Sequence, residues 1–309
     1  VAGKVAHVAE PPVAGRWTAW SGKPATAWQD AFVTGNGRHG TMVTGSAGNT
    51  RLVNVHEELF LRAWDRRKIA VANIAGLLPE VRKLCDSGQF TAAADLACKT
   101  ARTQLTAMGA PQAWPNSPHP AFDLNVKLET TGNISGYRRQ LNLETGESQI
   151  RYNDNNRGVQ ESVFSSRANN VNVWHARRLN GKKLTARLRL DETPGRTGRI
   201  DGVDLSKAFR SITTKAESPG WLSYHAQYAN DSGGYEGLAR ITTKGGKIIA
   251  SGNELQIKDA DEIMVVIRIT PLEFGSTTQQ AFIRNELSRF PNDYESLVAP
   301  HAKLHGEMF

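Results

Sequence analysis

The sequence lacks the marks of several large functional classes. Its 309 residues include two cysteines, Cys85 and Cys98, with no C-x-x-C pair, which leaves the compartment open. The apolar stretches fall well short of the roughly 20 residues that a membrane helix needs. A P-loop and a G-x-S-x-G elbow are also missing, and neither cysteine has a catalytic context. We therefore expect no membrane partner, no cofactor, no metal and no catalytic residue in this chain.

Long runs of like charge are missing too. Lys and Arg outnumber Asp and Glu by 38 to 30, for a net charge of +8, but the basic residues are scattered. A nucleic-acid partner is not expected, because the sequence assembles no visible basic face. An acidic glycan or cell surface fits the charge equally well. With 39% hydrophobic and 22% charged residues and no low-complexity tract, the chain is predicted to be packed and globular.

What the sequence has in abundance is period-two alternation of apolar and polar residues. It occurs in Phe122–Leu128, Leu184–Leu190 and Leu222–Tyr228, which predicts half-buried strands. Ile263–Ile269 is apolar nearly throughout, as is typical of a strand covered on both faces. Turn residues recur at hairpin-like intervals over about 122–270. These features favour a mainly β, antiparallel sandwich over a parallel α/β sheet.

A helical hairpin is predicted inside this β pattern, at about 74–105. Apolar residues recur there at helical spacing on both sides of a turn at Asp86–Gly88. Near the end, Ser276–Gln279 matches a capping box and predicts a helix that runs to about Phe290.

A last helix is predicted over Tyr294–Phe309. No polar linker follows it, so we expect the chain to continue in a longer parent protein.

The segment Gly35–Gly40 formally fits the dinucleotide motif G-x-G-x-x-G. That motif must open a helix, whereas Thr41–Gly45 indicates a strand, so a glycine-rich β turn is the default interpretation. The turn contains Asn36, Arg38 and His39, whose planar groups also suit sugar hydroxyls.

His56 and Glu57 begin the zinc motif H-E-x-x-H, but Phe60 replaces the second histidine, so zinc is not expected. Glu57 and Glu58 are adjacent, and they do not form the facing carboxylate pair that glycoside hydrolysis requires. We expect one of them to make a structural hydrogen bond or salt bridge.

Several segments, in chain order, resemble the N-terminal domain of glycoside hydrolase family 95, the α-L-fucosidase type. The most specific is the start, where Trp20–Ala25, Trp28–Phe32 and Gly35–Gly40 resemble the family's "PA..W.EALP.GNGRLG". Departures include His39 in place of an apolar residue, and Pro300, which is expected to interrupt the last helix. Further similar segments are Leu52–Phe60, Leu78–Leu84, Tyr137–Gly146, Glu161–Ser166, Ala260–Glu262 and Tyr294–Leu297 with His301.

The resemblance implies a large antiparallel β supersandwich with an inserted helical hairpin, at 1–275, and a C-terminal linker helix region at 276–309. An (α/α)6 barrel of the same parent protein would follow and carry inverting chemistry on a fucosylated or related glycan. Since the family's β domain can lend loops to the pocket, the implied substrate-binding rim residues are Asn36, Arg38, His39, His56 and Glu57. Alternatively, the same loop only locks the interface between the domains.

A stand-alone carbohydrate-binding module is the alternative function. It would expose an aromatic platform, for which the seven tryptophans are candidates. Because the chain begins at Val1 rather than Met, a removed signal peptide is one explanation, and a secreted or periplasmic location is expected.

Overall fold

Two large antiparallel β-sheets pack face to face. The computed structural model describes residues 17–61, 70–109, 117–180, 183–194, 199–200, 203–229, 233–273, 275–276 and 278–309. The two packed antiparallel sheets confirm the predicted mainly β sandwich.

Twenty strands and four α-helices are described. The helices are α1 (Leu78–Asp86), α2 (Phe90–Ala107), α3 (Gln280–Ser288) and α4 (Glu295–Gly306). The strands are β1 (Thr18–Ser21), β2 (Phe32–Gly35), β3 (His39–Ser46), β4 (Asn49–His56), β5 (Phe60–Leu61), β6 (Ser117–Pro118), β7 (Phe122–Leu128), β8 (Ile134–Asn142), β9 (Glu147–Asp154), β10 (Arg157–Ser166), β11 (Val171–Arg178), β12 (Leu184–Asp191), β13 (Arg199–Ile200), β14 (Val203–Asp204), β15 (Phe209–Glu217), β16 (Trp221–Tyr228), β17 (Gly234–Lys244), β18 (Lys247–Ser251), β19 (Glu254–Ala260) and β20 (Glu262–Leu272).

The two main sheets differ in size. The nine-stranded sheet has the order β1-β8-β9-β10-β11-β20-β17-β16-β15, and the seven-stranded sheet has the order β18-β19-β12-β7-β4-β3-β2. Two small ribbons, β5–β6 and β13–β14, complete the described strands.

The main core lies between the sheets, and the alternating segments supply it. Phe122, Leu124 and Val126 of β7 are buried, and so are Leu184 and Leu188 of β12. In the register, Val126 lies opposite Leu188, so apolar side chains form continuous rows across the strands. The predicted half-buried strands are confirmed.

The nine-stranded sheet has a second apolar layer on its outer side. There, α3 and α4 place Leu287 and Leu297 against strand residues such as Val171, Phe164 and Val266. This layer explains the apolar run of β20, whose side chains are buried on both faces, as predicted.

The helical hairpin is confirmed as α1 and α2, with the turn at Ser87–Gln89 between them. Pro300 does not interrupt the last helix, because α4 runs through it from Glu295 to Gly306. In the described part of the chain, no helix has both the length and the apolar character needed to cross a membrane.

The start of α3 differs from the prediction. Its N-cap residue Gln279 makes no side-chain capping bond. Instead, the fully buried Glu236 of β17 accepts hydrogen bonds from the Gln279 N–H at 2.8 Å and from Thr278 Oγ1 at 2.5 Å. A carboxylate from the sheet therefore fulfils the role that the sequence assigned to a local capping box.

Candidate functional site

The turn between β2 and β3 is organised by Asn36. Its Oδ1 accepts the backbone N–H of Arg38 at 2.9 Å and that of His39 at 2.7 Å. Its Nδ2 donates to Ser166 O at 2.7 Å and to Asn170 Oδ1 at 3.2 Å. Gly37, at φ +95°, takes the left-handed conformation that the turn needs. Asn36 therefore shapes the turn and ties it to the nine-stranded sheet.

His39 is buried behind this turn, with 2% of its surface exposed. Its Nε2 accepts the Ile269 backbone N–H at 3.0 Å, so the proton lies on Nδ1, which donates to Asn170 Oδ1 at 3.0 Å. Burial is the main cause that lowers the His39 pKa to about 4. The ring is neutral near pH 7 and is held at both nitrogens.

His56 lies opposite His39 in the β3–β4 register. The two rings meet edge to face with centroids 4.8 Å apart. His56 Nδ1 accepts the Glu58 backbone N–H at 3.2 Å, so the neutral ring carries its proton on Nε2. Burial, followed by the charge of Arg38, lowers the His56 pKa to about 4. This neutral imidazole offers a donor toward the groove described next.

An open groove of about 810 Å³ lies beside these histidines. Its floor consists of outward-facing residues of β3 and β4, among them Met42 and Val53, whose chain neighbours Val43 and Leu52 point into the core. The full lining is Trp28, Gly37, Arg38, His39, Gly40, Met42, Val53, Val55, His56, Glu57, Pro118, His119 and Pro120.

The rim of the groove combines an aromatic ring with an ion pair. The Trp28 residue is 68% exposed. Arg38 Nε lies 3.2 Å from Glu57 Oε1, and both side chains reach solvent. An indole face suits the apolar face of a sugar ring, while the guanidinium and carboxylate suit hydroxyl groups. The groove therefore has the chemistry to hold a sugar.

The described lining of the groove lacks the pair of carboxyl groups used in glycoside hydrolysis. Hydrolysis needs two carboxyl groups across the scissile bond, and Glu57 is the one carboxylate in the described lining. Its exposed pair with Arg38 agrees with the salt bridge expected for one of the two adjacent glutamates. Where side chains are described, no three His, Cys, Asp or Glu residues are grouped to hold a metal ion.

The five predicted rim residues separate into two groups. Arg38, His39, His56 and Glu57 line the groove, whereas Asn36 points away from it into the sheet contact. Whether any of them binds substrate stays a prediction.

The apolar floor and Pro118 were not predicted. The alternation of β3 and β4 places Met42 and Val53 on the outer face, which is the one sequence signal that could have found them. Trp28 stood only among the general tryptophan candidates, of which Trp64 and Trp114 lie outside the described residues.

The fold defines a large antiparallel β-sandwich with a groove on one outer face, and sequence comparison gives the family. A family model described as "Glycosyl hydrolase family 65, N-terminal domain" matches residues 19–271. The chain belongs to this family of domains. This confirms a glycoside hydrolase N-terminal domain, while the match is to family 65 and not to family 95.

Similarity to individual proteins is weaker. One solved structure, described as "Putative kojibiose phosphorylase from human microbiome", is 12% identical, with a TM-score of 0.41 over 60% of this chain. The match spans 28% of that protein's length. No curated protein matches the chain.

Proposed function

We propose that the chain is the N-terminal domain of a glycoside hydrolase resembling the inverting α-L-fucosidases of family 95. In this proposal it supports a C-terminal (α/α)6 barrel of the same parent protein, which is secreted or periplasmic and acts on a fucosylated or related glycan. The family match over residues 19–271 carries the N-terminal-domain part of the proposal, since that family is one of N-terminal domains. The fucosidase part rests on the resemblance of Trp20–Ala25, Trp28–Phe32 and Gly35–Gly40 to the start of family 95.

The groove gives this domain a role beyond support. Trp28, Arg38 and Glu57 form a rim that can contact a sugar, and a single carboxylate cannot hydrolyse it by the two-carboxylate route. We propose that the groove completes the rim of a pocket whose catalytic groups belong to the barrel.

The first test is release of 4-nitrophenol from nitrophenyl glycosides. The 309-residue chain and the parent protein are assayed side by side on α-L-fucoside, α-D-galactoside and α-D-glucoside. We expect activity from the parent protein alone, and on the fucoside. Hydrolysis by the 309-residue chain would overturn the non-catalytic role. Activity of the parent protein on another glycoside and not on the fucoside would overturn the sugar assignment.

The second test addresses the groove within the parent protein. Trp28→Ala should raise KM for the preferred glycan about tenfold, the loss expected for one good contact of about 1.4 kcal/mol. Trp20→Ala is the matched control, because Trp20 is also exposed, at 53%, but lies on β1 beneath the Arg138 guanidinium. Equal KM values for the two variants would place the groove outside the pocket.

The exposed indole of Trp28 also favours a second function, that of a stand-alone carbohydrate-binding module. This candidate requires the 309-residue chain to bind fucosylated oligosaccharides without a barrel. Calorimetric titration of the chain and its Trp28→Ala variant distinguishes the two functions. Binding that Trp28→Ala abolishes supports the module, and no binding supports the pocket-rim role.

A further inference from the structure

A second groove, of about 430 Å³, lies on the outer face of the seven-stranded sheet. It crosses β4, β7, β12 and β19, and the strand register arranges its side chains in two parallel rows. With neighbouring strands about 4.8 Å apart, a row of four residues spans roughly 14 Å. The first row is Arg51, Asn125, Arg189 and Glu254, and the second is Asn49, Lys127, Arg187 and Gln256.

The cations of this polar groove are only partly neutralised. Arg51 contacts the buried Asp123 through Nε, and Arg189 Nε lies 2.7 Å from Asp191. Arg187 Nε comes no nearer than 3.9 Å to Glu254. The side chains of Arg187 and Arg189 are more than half exposed.

Each of these pairs uses the inner nitrogen of the guanidinium. Among the described residues, no hydrogen bond engages the outer nitrogens of Arg51, Arg187 or Arg189, and Lys127 has no carboxylate partner. The outer edge of a guanidinium matches a carboxylate or sulfate group by two parallel hydrogen bonds. The groove therefore presents unused donors to an anion.

The mixture of groups distinguishes between kinds of polyanion. The amides of Asn49, Asn125 and Gln256 alternate with the cations, and Glu254 and Asp191 add acceptors. Such acceptors suit hydroxyl groups, which a polyhydroxylated chain supplies at every unit. Among the lining residues that the structure describes, none has an aromatic ring to stack a base. A chain that combines its negative charges with several hydroxyl groups per unit fits better than a nucleic acid.

We propose that this polar groove is a binding surface for an acidic glycan, one that carries carboxylate or sulfate groups along a polyhydroxylated chain. The cations hold the anionic groups, and the amides and carboxylates hold the hydroxyls. The surface is separate from the groove at Trp28 and does not depend on the function proposed for that groove.

The test is calorimetric titration of the 309-residue chain with oligogalacturonate and with a neutral galactan oligomer of the same length. We compare the wild type with a Lys127→Gln/Arg187→Gln variant, which removes a cross-strand pair of exposed cations from the second row. The matched control is Arg151→Gln/Lys303→Gln, which lowers the net charge equally at exposed positions outside the groove.

We expect oligogalacturonate to bind the wild type and the control alike, and Kd to rise at least about tenfold in the groove variant, because charge-assisted hydrogen bonds are lost. Three results would overturn the proposal. These are no binding by the wild type, equal losses in the two variants, and equal binding of the neutral galactan. Tighter binding of a single-stranded 20-mer DNA, lost in the groove variant, would replace the glycan with a nucleic acid.

Discussion

The outer faces of the two sheets differ in their side chains and in what covers them. On the nine-stranded sheet, the helices α3 and α4 cover an apolar layer that contains Val171, Val173 and Val266. On the seven-stranded sheet, the outer face carries exposed polar residues such as Arg187 and Arg189 and two open grooves. The covered face of the nine-stranded sheet makes buried apolar contacts that stabilise the fold. The open face of the seven-stranded sheet can contact ligands.

The burial patterns of individual strands show this difference between the two outer faces. β20 is buried at Ile263, Met264, Val265, Val266 and Ile267 in succession, because both of its faces are covered. β12 alternates between buried and exposed residues along most of its length. In these two strands, the long apolar run thus marks a covered outer face, and the alternation marks one that is in contact with solvent.

The largest expected effect is that of a charge placed on the covered face. Val173→Asp should destabilise the protein by about 4 kcal/mol or more, because a carboxylate would be buried between Phe164 and Val266 on the covered face. Urea unfolding monitored by circular dichroism measures the loss. The matched control is Ile249→Asp on the outer face of β18, where the residue is 43% exposed and the loss should stay below about 0.5 kcal/mol. Similar losses in the two variants would erase the contrast between the faces.

Acid should destabilise the contacts that hold the covered side and the β2–β3 turn. Burial lowers the pKa of His39, His56 and His301 from 6.5 to about 4. Between about pH 6.5 and 4, these histidines are therefore protonated in the unfolded state but not in the folded state. The free energy of unfolding falls as the pH falls through this window. Glu161 acts in the opposite sense, because burial raises its pKa from 4.5 to about 7 and the folded state keeps that proton.

Burial also lowers the pKa of His175, so four histidines oppose one glutamate. The free energy of unfolding should fall between pH 7 and pH 4.5, with a net uptake of about two protons or more on unfolding. Urea titrations at half-unit pH steps give this number. In a His301→Phe variant, which keeps a ring stacked on Phe164, the uptake should drop by about one proton. A stability that is constant over this range would contradict the neutral, buried histidines.

The interface that the two sheets share should show an intermediate effect. A Cβ on Gly237 of β17 would lie 2.1 Å from Phe122 Cε1 of β7, so the sheets meet too closely there for any side chain. Gly237→Ala should cost about 1–3 kcal/mol through overpacking. Gly76→Ala is the control, because nothing lies within 4 Å of the new methyl group. A loss no larger than the control's would mean that the sheets separate easily at this point.

Local sequence patterns predicted the helices and strands of this fold better than the contacts between them. Alternation predicted β7 and β12, and helical spacing predicted α1 and α2, because in these segments a local period sets which side chains are buried. The capping of α3 was wrong, because Glu236 reaches Gln279 from a strand 43 residues earlier in the chain. A contact between residues so far apart in the chain produces no periodic pattern in the sequence.

The site shows the same limit. The turn residues Arg38 and His39 were proposed from their side-chain types, but the groove floor depends on how β3 pairs with β4 and on Pro118, which lies in β6 beside β5. The side chain of Asn36 is of a type that often binds sugars, yet its amide oxygen and nitrogen both make hydrogen bonds within the fold. Sequence proximity grouped residues that the fold also brings together, but it did not give the direction of each side chain.

The smallest expected effect tests the exposed face directly. Asn125→Lys places a third cation beside Arg51 and Arg189 in the first row of the polar groove. The added charge is exposed to solvent, so stability should change by no more than about 0.5 kcal/mol in urea unfolding. It should decline slightly at low salt and recover as salt screens the neighbouring charges. A loss above about 1 kcal/mol that salt does not relieve would mean that Asn125 supports the sheet through its bond to Asp191, and that this face is structural at its centre.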